Sequence, residues 1–403
     1  MKILAISQFY KPIWPGFGTR SPQLVIDGAA KSGNEVIVLT GTIPTNIDTD
    51  QKYRLKKLRE KIGNGSIEIN RLWVPESHQG FIKRSIIYFY FIFQCFFKML
   101  TIKNIDLVIG LHPYPPFFIP IILLSKLKKT KFILYEADLW PNNLIELGLL
   151  NRGFLYSIIK KLSGWSYNNS HHVIVITEEI KKNIQEYFDK KDKVIVLNMA
   201  VDTTTFKPEV VKDDRYAGKF VVMYNGIFSP NYDFDIIINA AKIIDNEKII
   251  FVISGSGELK KEIVKKIQKL KLNNIKIENP VPTITELVRK LNRADILVLG
   301  MHDNLQAKTA HPSKVFEYMA CGKPIICSTV GATEDILVKA NAGIVVKPGD
   351  YHDFTSAILR FYNSKKLREE YGKNGREFTQ KNYSLNVFQE GLNSILKNLM
   401  LQH

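Results

Sequence analysis

The sequence has few cysteines and few acidic residues, and each shortage argues against a class of protein. Cys95, Cys321 and Cys327 are the three cysteines in 403 residues, and none lies in a CxxC or His-paired metal spacing. This argues against a disulfide framework and a structural zinc site, and a reducing cytoplasm is expected. Asp and Glu number 39 against 56 Lys and Arg, which gives a net charge of +17 and favours an anionic partner.

The positive charge is concentrated in the first half of the chain. Residues 1–200 hold 27 Lys and Arg against 16 Asp and Glu, and therefore +11 of the +17. The sequence lacks internal repeats, low-complexity tracts, basic stripes interleaved with aromatics and the usual nucleic-acid-binding motifs. Nucleic acid is therefore disfavoured, and acidic lipid or phosphates remain as the anionic partners.

The apolar run inside the segment 81–100 is too short to cross a membrane, because a spanning helix needs about 20 apolar residues. This run extends from Ile86 to Phe97, broken only by Gln94 and Cys95, with lysines and an arginine on either side. One interpretation is a helix that lies in the membrane interface, with the basic run 52–61 adding attraction to anionic lipid. The other is a buried core helix, but the number of aromatic residues favours membrane contact.

Apolar runs alternate with amphipathic stretches, which is typical of parallel sheets with crossover helices. A chain of this length exceeds one hydrophobic core, and the polar stretch 198–219 is the best linker candidate. We therefore predict an α/β protein with two Rossmann-like, doubly wound domains, residues 1–200 and 201–383, facing each other across a cleft. A C-terminal helix over about 384–403 is expected to pack back on the first domain, and the start "MKILAISQFY" is predicted to be a strand, not a signal peptide.

The loops after the predicted strands carry the candidate site residues, because ligands of doubly wound sheets bind at the carboxyl ends of the strands. The predicted strands are KILAIS, EVIVLT, IEINRLWV, DLVIGL, KFILYE and HHVIVIT in the first half, and KFVVMYNG, IIFVISGSG, NIKIENP, ADILVLG, KPIICST and GIVVKPG in the second. The residues that follow or end them are Gly16, Gly18, His112, Glu136, Asp138, Asn225, Gly226, Gly255 and Gly257.

The stretch "HPSKVFEYMACGKPIIC" (311–327) predicts a short helix before a buried strand. Ser313 can cap the helix, and Gly322 with the following Lys-Pro ends it. A helix N-terminus suits a phosphate, Lys314 would add to its positive field, and Glu317 could accept hydrogen bonds from sugar hydroxyls. The alternative is an ordinary capped helix whose lysine and glutamate are solvated.

The sequence resembles the retaining glycosyltransferases of family 4, which have the two-domain GT-B architecture. The matching stretches are EADLWPNNLIELGLL, DLVIGLHPYPP, VIVITEEIKKNI, VIVLNMAVDTTTFKP, SGSGELKKEI and HPSKVFEYMACGKPII, in family order over nearly the whole chain. The most similar branch includes the bacterial N-acetyl-L-fucosamine transferases of O-antigen assembly. The resemblance implies metal-independent transfer of a sugar from a nucleotide donor, UDP-sugar being favoured, to a hydroxyl of a glycan carried on polyprenyl diphosphate. It also implies a cytoplasmic enzyme held peripherally at the inner face of the cell membrane.

The resemblance assigns roles to the candidate residues. Glu317 would bind the ribose, and Ser313 with Lys314 the diphosphate. The remaining donor-binding candidates are Gly16, Gly18, Asn225, Gly226, Gly255 and Gly257. The candidates for acceptor activation and leaving-group stabilisation are Asp138, Glu136, His112 and Lys314.

The chain departs from the family pattern at three places. Thr309 stands where many relatives have a first glutamate eight residues before the second, and "NGIFSPNYDFD" lacks their Arg and Lys, so Lys314 or Lys308 would substitute. Glu136 and Asp138 replace a histidine. Two other functions remain open, a nucleotide-sugar epimerase of the same fold and a non-catalytic nucleotide-sugar binder.

Overall fold

The computed structural model describes residues 1–11, 20–43, 51–75, 81–111, 114–146, 148–186, 191–211 and 214–401. The chain divides into two units, of which the first is Met1–Asn198 with Gln389–His403 and the second is Met199–Phe388. The sequence predicted the domain boundary after residue 200, whereas the first unit ends at residue 198. The C-terminal segment that packs on the first unit was predicted to begin at about 384, and it begins at 389. Each unit is built on its own sheet.

The fourteen strands of the described residues form one sheet in each unit. They are β1 Lys2–Ile6, β2 Glu35–Gly41, β3 Lys57–Ile62, β4 Gly65–Leu72, β5 Leu107–Leu111, β6 Lys131–Glu136, β7 His172–Val175, β8 Val194–Val196, β9 Phe220–Ile227, β10 Ile249–Ser256, β11 Ile275–Glu278, β12 Ile296–Gly300, β13 Ile325–Ser328 and β14 Gly343–Val346. The first sheet has the order β3-β4-β2-β1-β5-β6-β7-β8, and the second β11-β10-β9-β12-β13-β14. All neighbours pair in parallel except β3 with β4.

The helices connect these strands. They are α1 Arg20–Lys31, α2 Phe81–Thr101, α3 Ile119–Leu127, α4 Asn142–Glu146, α5 Phe154–Asn169, α6 Glu178–Gln185, α7 Asp235–Ile243, α8 Lys260–Lys269, α9 Ile284–Asn292, α10 Leu305–Thr309, α11 Ser313–Ala320, α12 Ala332–Ala340, α13 Tyr351–Asn363, α14 Lys365–Asn382 and α15 Leu385–Leu401. Short 3-10 turns occur at Gln51–Arg54, Pro115–Phe118, Lys191–Lys193 and Asp214–Tyr216. This arrangement confirms the predicted α/β class with two doubly wound parallel sheets.

The apolar runs predicted as strands lie in the two sheets, and two further strands were not predicted. All of β3 except its last residue lies in the basic run 52–61, whose charged residues gave no clear apolar pattern. Its Lys57 and Arg59 lie 2.9 Å and 2.5 Å from carboxylate oxygens of Glu68 on β4. The run is therefore an edge strand with part of its charge already paired. β8 has three residues and went unrecognised as a strand.

Helix α2 has one face in the core of the first unit and one face in solvent. The buried side chains include Ile87, Tyr88, Phe91, Ile92, Cys95 and Met99. Phe89, Phe93 and Phe97 are 59%, 52% and 50% exposed and follow one another at four-residue spacing. The core interpretation thus holds for one face, and membrane contact through the exposed face stays a prediction. Across the part of the chain that the structure describes, no helix combines the length and the apolar character needed to cross a membrane.

Candidate functional site

Helix α11 of the second unit buries nearly its whole length. Lys314 and Glu317 are 8% and 5% exposed, and Val315, Phe316 and Met319 are buried with them. The interpretation of α11 as a helix with a solvated lysine and glutamate was therefore wrong. Gly322 has a φ of +67° just after the helix, which confirms the predicted end at this glycine.

The cap predicted at Ser313 is also wrong. The N-cap residue is Pro312, and its side chain cannot accept a hydrogen bond, so the cap position contributes no side-chain bond. Ser313 is the first helical residue and its side chain is exposed. The positive end of the helix dipole at Ser313 thus lacks a side-chain capping oxygen, which leaves room for an incoming anion.

The ammonium of Lys314 lies among tyrosines. Its Nζ donates a hydrogen bond to Tyr224 Oη at 2.9 Å and lies 3.6 Å from the centre of the Tyr232 ring. It also lies 4.6 Å from the centre of the Tyr224 ring. Cation–π contacts of this kind are attractive, but an aromatic ring does not neutralise a charge. None of the described carboxylates lies within 4.0 Å of Lys314.

Burial lowers the pKa of Lys314 to about 7. The physical reason is that the protonated amine has lost its hydration without gaining a carboxylate partner. A dianionic phosphate placed beside Nζ would supply the missing opposite charge and raise this pKa. The surroundings of Lys314 therefore favour the binding of an anion beside its ammonium group.

Tyr318 fixes the end of β9 beside α11. Its hydroxyl accepts a hydrogen bond from the Asn225 backbone N–H at 2.9 Å and donates one to the Asn225 carbonyl at 2.8 Å. Glu317, its neighbour in the helix, is thereby held close to the carboxyl end of the sheet. Sequence reasoning missed Tyr224, Tyr232 and Tyr318; the one signal available was the number of aromatics around "YNG", which is equally typical of core packing.

The candidate glycines at the ends of β9 and β10 have a packing role. A Cβ on Gly255 would lie 1.8 Å from the Gly226 carbonyl oxygen, and one on Gly257 would lie 2.3 Å from the Phe228 carbonyl oxygen. At Gly226 a Cβ would lie 2.6 Å from Lys314 Nζ. The absence of side chains thus lets the two strand ends approach each other and leaves room for the ammonium.

Thr309 and Lys308 do not join this cluster. Thr309 is buried and donates its hydroxyl proton to the Leu305 carbonyl at 2.7 Å, within α10. Lys308 is exposed and pairs with Asp303 at 2.6 Å. A second buried lysine, Lys290, is compensated by contrast, since its Nζ lies 2.9 Å from Glu278 and 2.8 Å from Ser254 Oγ.

The acids after β6 differ from each other in burial. Glu136 is fully buried, and its carboxylate accepts a hydrogen bond from Tyr167 Oη at 3.3 Å. Burial, with the charge of Asp138 adding to it, raises the pKa of Glu136 well above its ordinary value. Asp138 is half-buried, and burial raises its pKa as well. Burial thus disfavours the charged form of Glu136, and Asp138 is the more accessible acid.

Three of the candidates cannot be placed. Gly16, Gly18 and His112 lie outside the described residues, so their roles stay predictions. In the described parts of the chain no group of three or more His, Cys, Asp or Glu is arranged to hold a metal ion.

Two family models together match most of the chain. Residues 23–205 match the model described as Glycosyltransferase Family 4, and residues 206–378 match the model described as Glycosyl transferases group 1. The division between the two matches falls near the division between the two units.

Curated relatives have transferase names. An uncharacterized glycosyltransferase, MJ1178 of Methanocaldococcus jannaschii, is 29% identical over 54% of this chain and 57% of its own length. A chitobiosyldiphosphodolichol beta-mannosyltransferase of Debaryomyces hansenii is 24% identical over 62% and 60%. The chain thus spans less than two thirds of the length of these two relatives. The putative colanic acid transferase WcaI of Escherichia coli is 22% identical over 83% and 84%.

Solved structures share the fold over nearly the full chain. A sucrose-phosphate synthase of Thermosynechococcus elongatus superposes with a TM-score of 0.75 at 17% identity, covering 100% of both chains. HepE of Anabaena, solved in complex with UDP, gives 0.72 at 14% identity over 99% of this chain and 100% of its own. WaaG, a glycosyltransferase of lipopolysaccharide biosynthesis, gives 0.69 at 14% over 98% and 99%.

Proposed function

We propose that this chain, which belongs to glycosyltransferase family 4, moves a hexosyl or N-acetylhexosaminyl group from a nucleotide sugar to a hydroxyl of a lipid-linked glycan. The transfer retains the anomeric configuration and requires no metal ion. The observation that carries the proposal is the buried, carboxylate-free Lys314 at the uncapped start of α11. A nucleoside diphosphate is the leaving group whose charge this arrangement would stabilise.

The donor half of the reaction is assigned to the second unit. Negative charge grows on the departing diphosphate in the transition state, so a fixed cation and helix N–H groups act most strongly at that moment. Lys314, held by Tyr224, supplies the cation, and the first turn of α11 from Ser313 supplies the N–H groups. Glu317 accepts hydrogen bonds from the ribose, and Asn225 and Gly226 lie beside the ribose.

The acceptor half is assigned to the first unit. Asp138 is the best placed of the two acids after β6 to receive a hydrogen bond from the attacking hydroxyl, because it is half-buried rather than enclosed. Glu136 is too deeply buried to touch an acceptor, and we assign it the role of holding Tyr167 and the turn that presents Asp138. His112 remains a further candidate from the sequence.

The relatives support particular substrates. HepE was solved with UDP and with UDP-glucose, which supports a UDP-sugar as the donor of this chain. WcaI and the capsular transferase CapM of Staphylococcus aureus carry names from surface polysaccharide assembly, which supports a role in O-antigen, lipopolysaccharide or capsule synthesis. The diphosphodolichol name of the Debaryomyces hansenii relative supports a polyprenyl-diphosphate-linked acceptor.

A lipid-linked acceptor also gives a function to the exposed face of α2. Its phenylalanines are half exposed at regular spacing, and exposed apolar patches usually mark interaction sites. Lys83 and Lys98 near the two ends of the helix are exposed and suit anionic headgroups. We propose peripheral attachment of a cytoplasmic enzyme to the inner face of the cell membrane, through residues 81–100.

The proposal is tested by a thermal-shift screen of UDP-, GDP-, dTDP- and ADP-sugars, run with and without EDTA. A ligand present at 100 times its dissociation constant adds about 2.7 kcal/mol to the unfolding free energy. Stabilisation by UDP-sugars in the presence of EDTA is the expected result. Stabilisation that strictly requires a divalent metal, or none by any nucleotide sugar, would contradict the donor assignment.

The two other functions are separated by product analysis of the same mixtures. A transferase releases UDP in step with glycosylation of an added lipid-linked acceptor. An epimerase changes the sugar of the donor without acceptor and without releasing UDP. A non-catalytic binder does neither, while still giving the thermal shift.

A further inference from the structure

Three helices of the first unit contain no acidic residue. The helices α2, α3 and α5 carry Lys83, Arg84, Lys98, Lys126, Lys160 and Lys161, but neither Asp nor Glu. Each of the other helices in the described part of this unit has at least one acid, the examples being Asp27, Glu146, Glu178 and Glu390. These three helices therefore add positive charge and no negative charge to the first unit.

The topology places the three helices in one layer. The connections β4 to β5, β5 to β6 and β6 to β7 all proceed in the same direction across the sheet, so right-handed crossovers put α2, α3 and α5 on the same face. α3 contacts both of the others. α1 lies on the opposite face, because β1 to β2 runs in the other direction, and Gln389 of α15 donates a hydrogen bond to the Gly28 carbonyl there at 2.9 Å.

The outer side of α5 carries its own apolar stripe. Phe154, Ile158 and Leu162 follow one another at four-residue spacing and are 84%, 37% and 40% exposed. Leu127 on α3 is 81% exposed. Lys126 of α3 joins the two helices, since its Nζ lies 5.8 Å from the centre of the Trp165 ring on α5. The stripe on α5 thus lies in the same helix layer as the exposed phenylalanines of α2.

We propose that α5 is a second membrane-docking helix, which enters the interface of an anionic bilayer beside α2. This deepens the proposed function and rests on its membrane attachment. Apolar side chains flanked by Lys160 and Lys161, with no acid on three adjacent helices, complement anionic lipid. A second copy of the chain would instead bring two positive surfaces together, which is unfavourable.

Docking through α5 places the acceptor side of the enzyme at headgroup level. Tyr156 near the start of α5 donates a hydrogen bond to Asn142 at 2.7 Å, in the segment that follows Asp138. Helix α5 also contacts the 3-10 turn that follows β5 at the carboxyl edge of the sheet. A lipid-linked acceptor carries its diphosphate at the same level, so Phe154 anchors the edge at which its glycan would enter.

The experiment uses single-cysteine labelling of the full chain, because the three native cysteines are all buried. Phe154→Cys, with Phe93→Cys on α2 and Val338→Cys on α12 as comparisons, is labelled with the fluorophore NBD. Val338 is 65% exposed and lies in the second unit, which makes it a matched control. With phosphatidylglycerol vesicles, NBD at 154 and 93 should shift to the blue and be quenched by nitroxide lipids, while NBD at 338 should not change.

A triple variant tests the contribution of α5 to binding. Phe154→Ser, Ile158→Ser and Leu162→Ser together should weaken vesicle binding about tenfold, with unchanged donor affinity. No change in NBD fluorescence at position 154, with a change at position 93, would overturn the α5 proposal and leave docking through α2 intact. No change in NBD fluorescence at either position would overturn the membrane part of the proposed function. Donor binding is tested separately by the thermal shift. A response at 154 that grows with protein concentration and needs no vesicles would mean that α5 seats a second copy, and would also overturn the proposal.

Discussion

Helix α11 of the second unit hides a lysine and a glutamate from water, whereas α2 and α5 of the first unit expose phenylalanines to it. Charged residues are seldom buried without a partner of opposite sign, and large apolar side chains seldom form continuous exposed stripes. Lys314 at 8% exposed and Phe154 at 84% exposed therefore depart from the usual pattern in opposite directions. Each departure costs stability in the free protein, and we propose that each is relieved by a different ligand.

The comparison supports the ligand that we propose for each site. A buried cation without a carboxylate is completed by an anion, and the uncapped start of α11 suits a phosphate. A basic, apolar helix layer is completed by an anionic bilayer. A transferase acting on a membrane-held acceptor with a soluble donor needs both. The predictions below remove one departure at a time.

The largest effect is expected at Lys314. Lys314→Ala should lower kcat by about 10²–10³-fold and weaken donor binding much less, because the charge on the leaving diphosphate peaks in the transition state. Lys314→Met, which keeps the volume, separates the loss of charge from the cavity. Lys308→Ala is the matched control, since that lysine is exposed and paired with Asp303. A change in KM alone would make Lys314 a ground-state binder.

The second effect concerns the exposed stripe of α2. Replacing Phe89, Phe93 and Phe97 together with Ser should weaken binding to anionic vesicles in a sedimentation assay by about a hundredfold or more, because each ring contributes roughly 1–2 kcal/mol to partitioning. Salt should weaken binding of the unaltered protein through the lysines. The melting temperature should stay unchanged, because all three side chains are at least half exposed. A variant that unfolds, beside a parent that never sediments, would mean that the stripe belongs to the core.

The third effect is on the ribose contact. Glu317→Ala should weaken UDP-sugar binding about tenfold to a hundredfold in calorimetry, since a hydrogen bond to a charged group contributes roughly 1.5–3 kcal/mol. Glu317→Gln keeps the shape of the side chain, and its donor affinity should lie between those of the unaltered protein and Glu317→Ala. Circular dichroism checks that the fold survives. Unchanged donor affinity would remove Glu317 from the site.

The smallest effect is a pH dependence of stability. In the folded protein the pKa of Lys314 is about 7, below the ordinary value of 10.5, so the unfolded chain binds more protons between these values. The unfolding free energy should therefore rise with pH in that window, by about 2 kcal/mol from pH 7 to pH 9 relative to Lys314→Met. Denaturant titrations at the two pH values measure this difference. Equal changes in both proteins would mean that Lys314 titrates normally.

Much of the fold could be predicted because local patterns determine it. Strands such as β5, β6 and β12 are nearly continuous apolar runs, and Gly33 and Gly322 end their helices where a positive φ is needed. β3 was not predicted, because an edge strand pairs along one side only and can carry many charged residues.

The candidate site was predicted less completely, for tertiary reasons. "HPSKVFEYMACGKP" pointed to α11, but its burial depends on packing that no local pattern encodes. Tyr224 lies 90 positions before Lys314 in the sequence, and their hydrogen bond exists only because β9 and α11 meet in the fold. The cap at Ser313 failed because Pro312 occupies the cap position.

The most direct test of the central claim, that Lys314 awaits a diphosphate, is proton uptake on UDP binding. Calorimetry at pH 8 in two buffers of different ionisation enthalpy measures the number of protons exchanged. In the free protein Lys314 is mostly neutral at this pH, and the diphosphate raises its pKa, so binding should take up close to about one proton. Lys314→Met should take up essentially none. UDP binding with equal proton exchange in the two proteins would contradict the account.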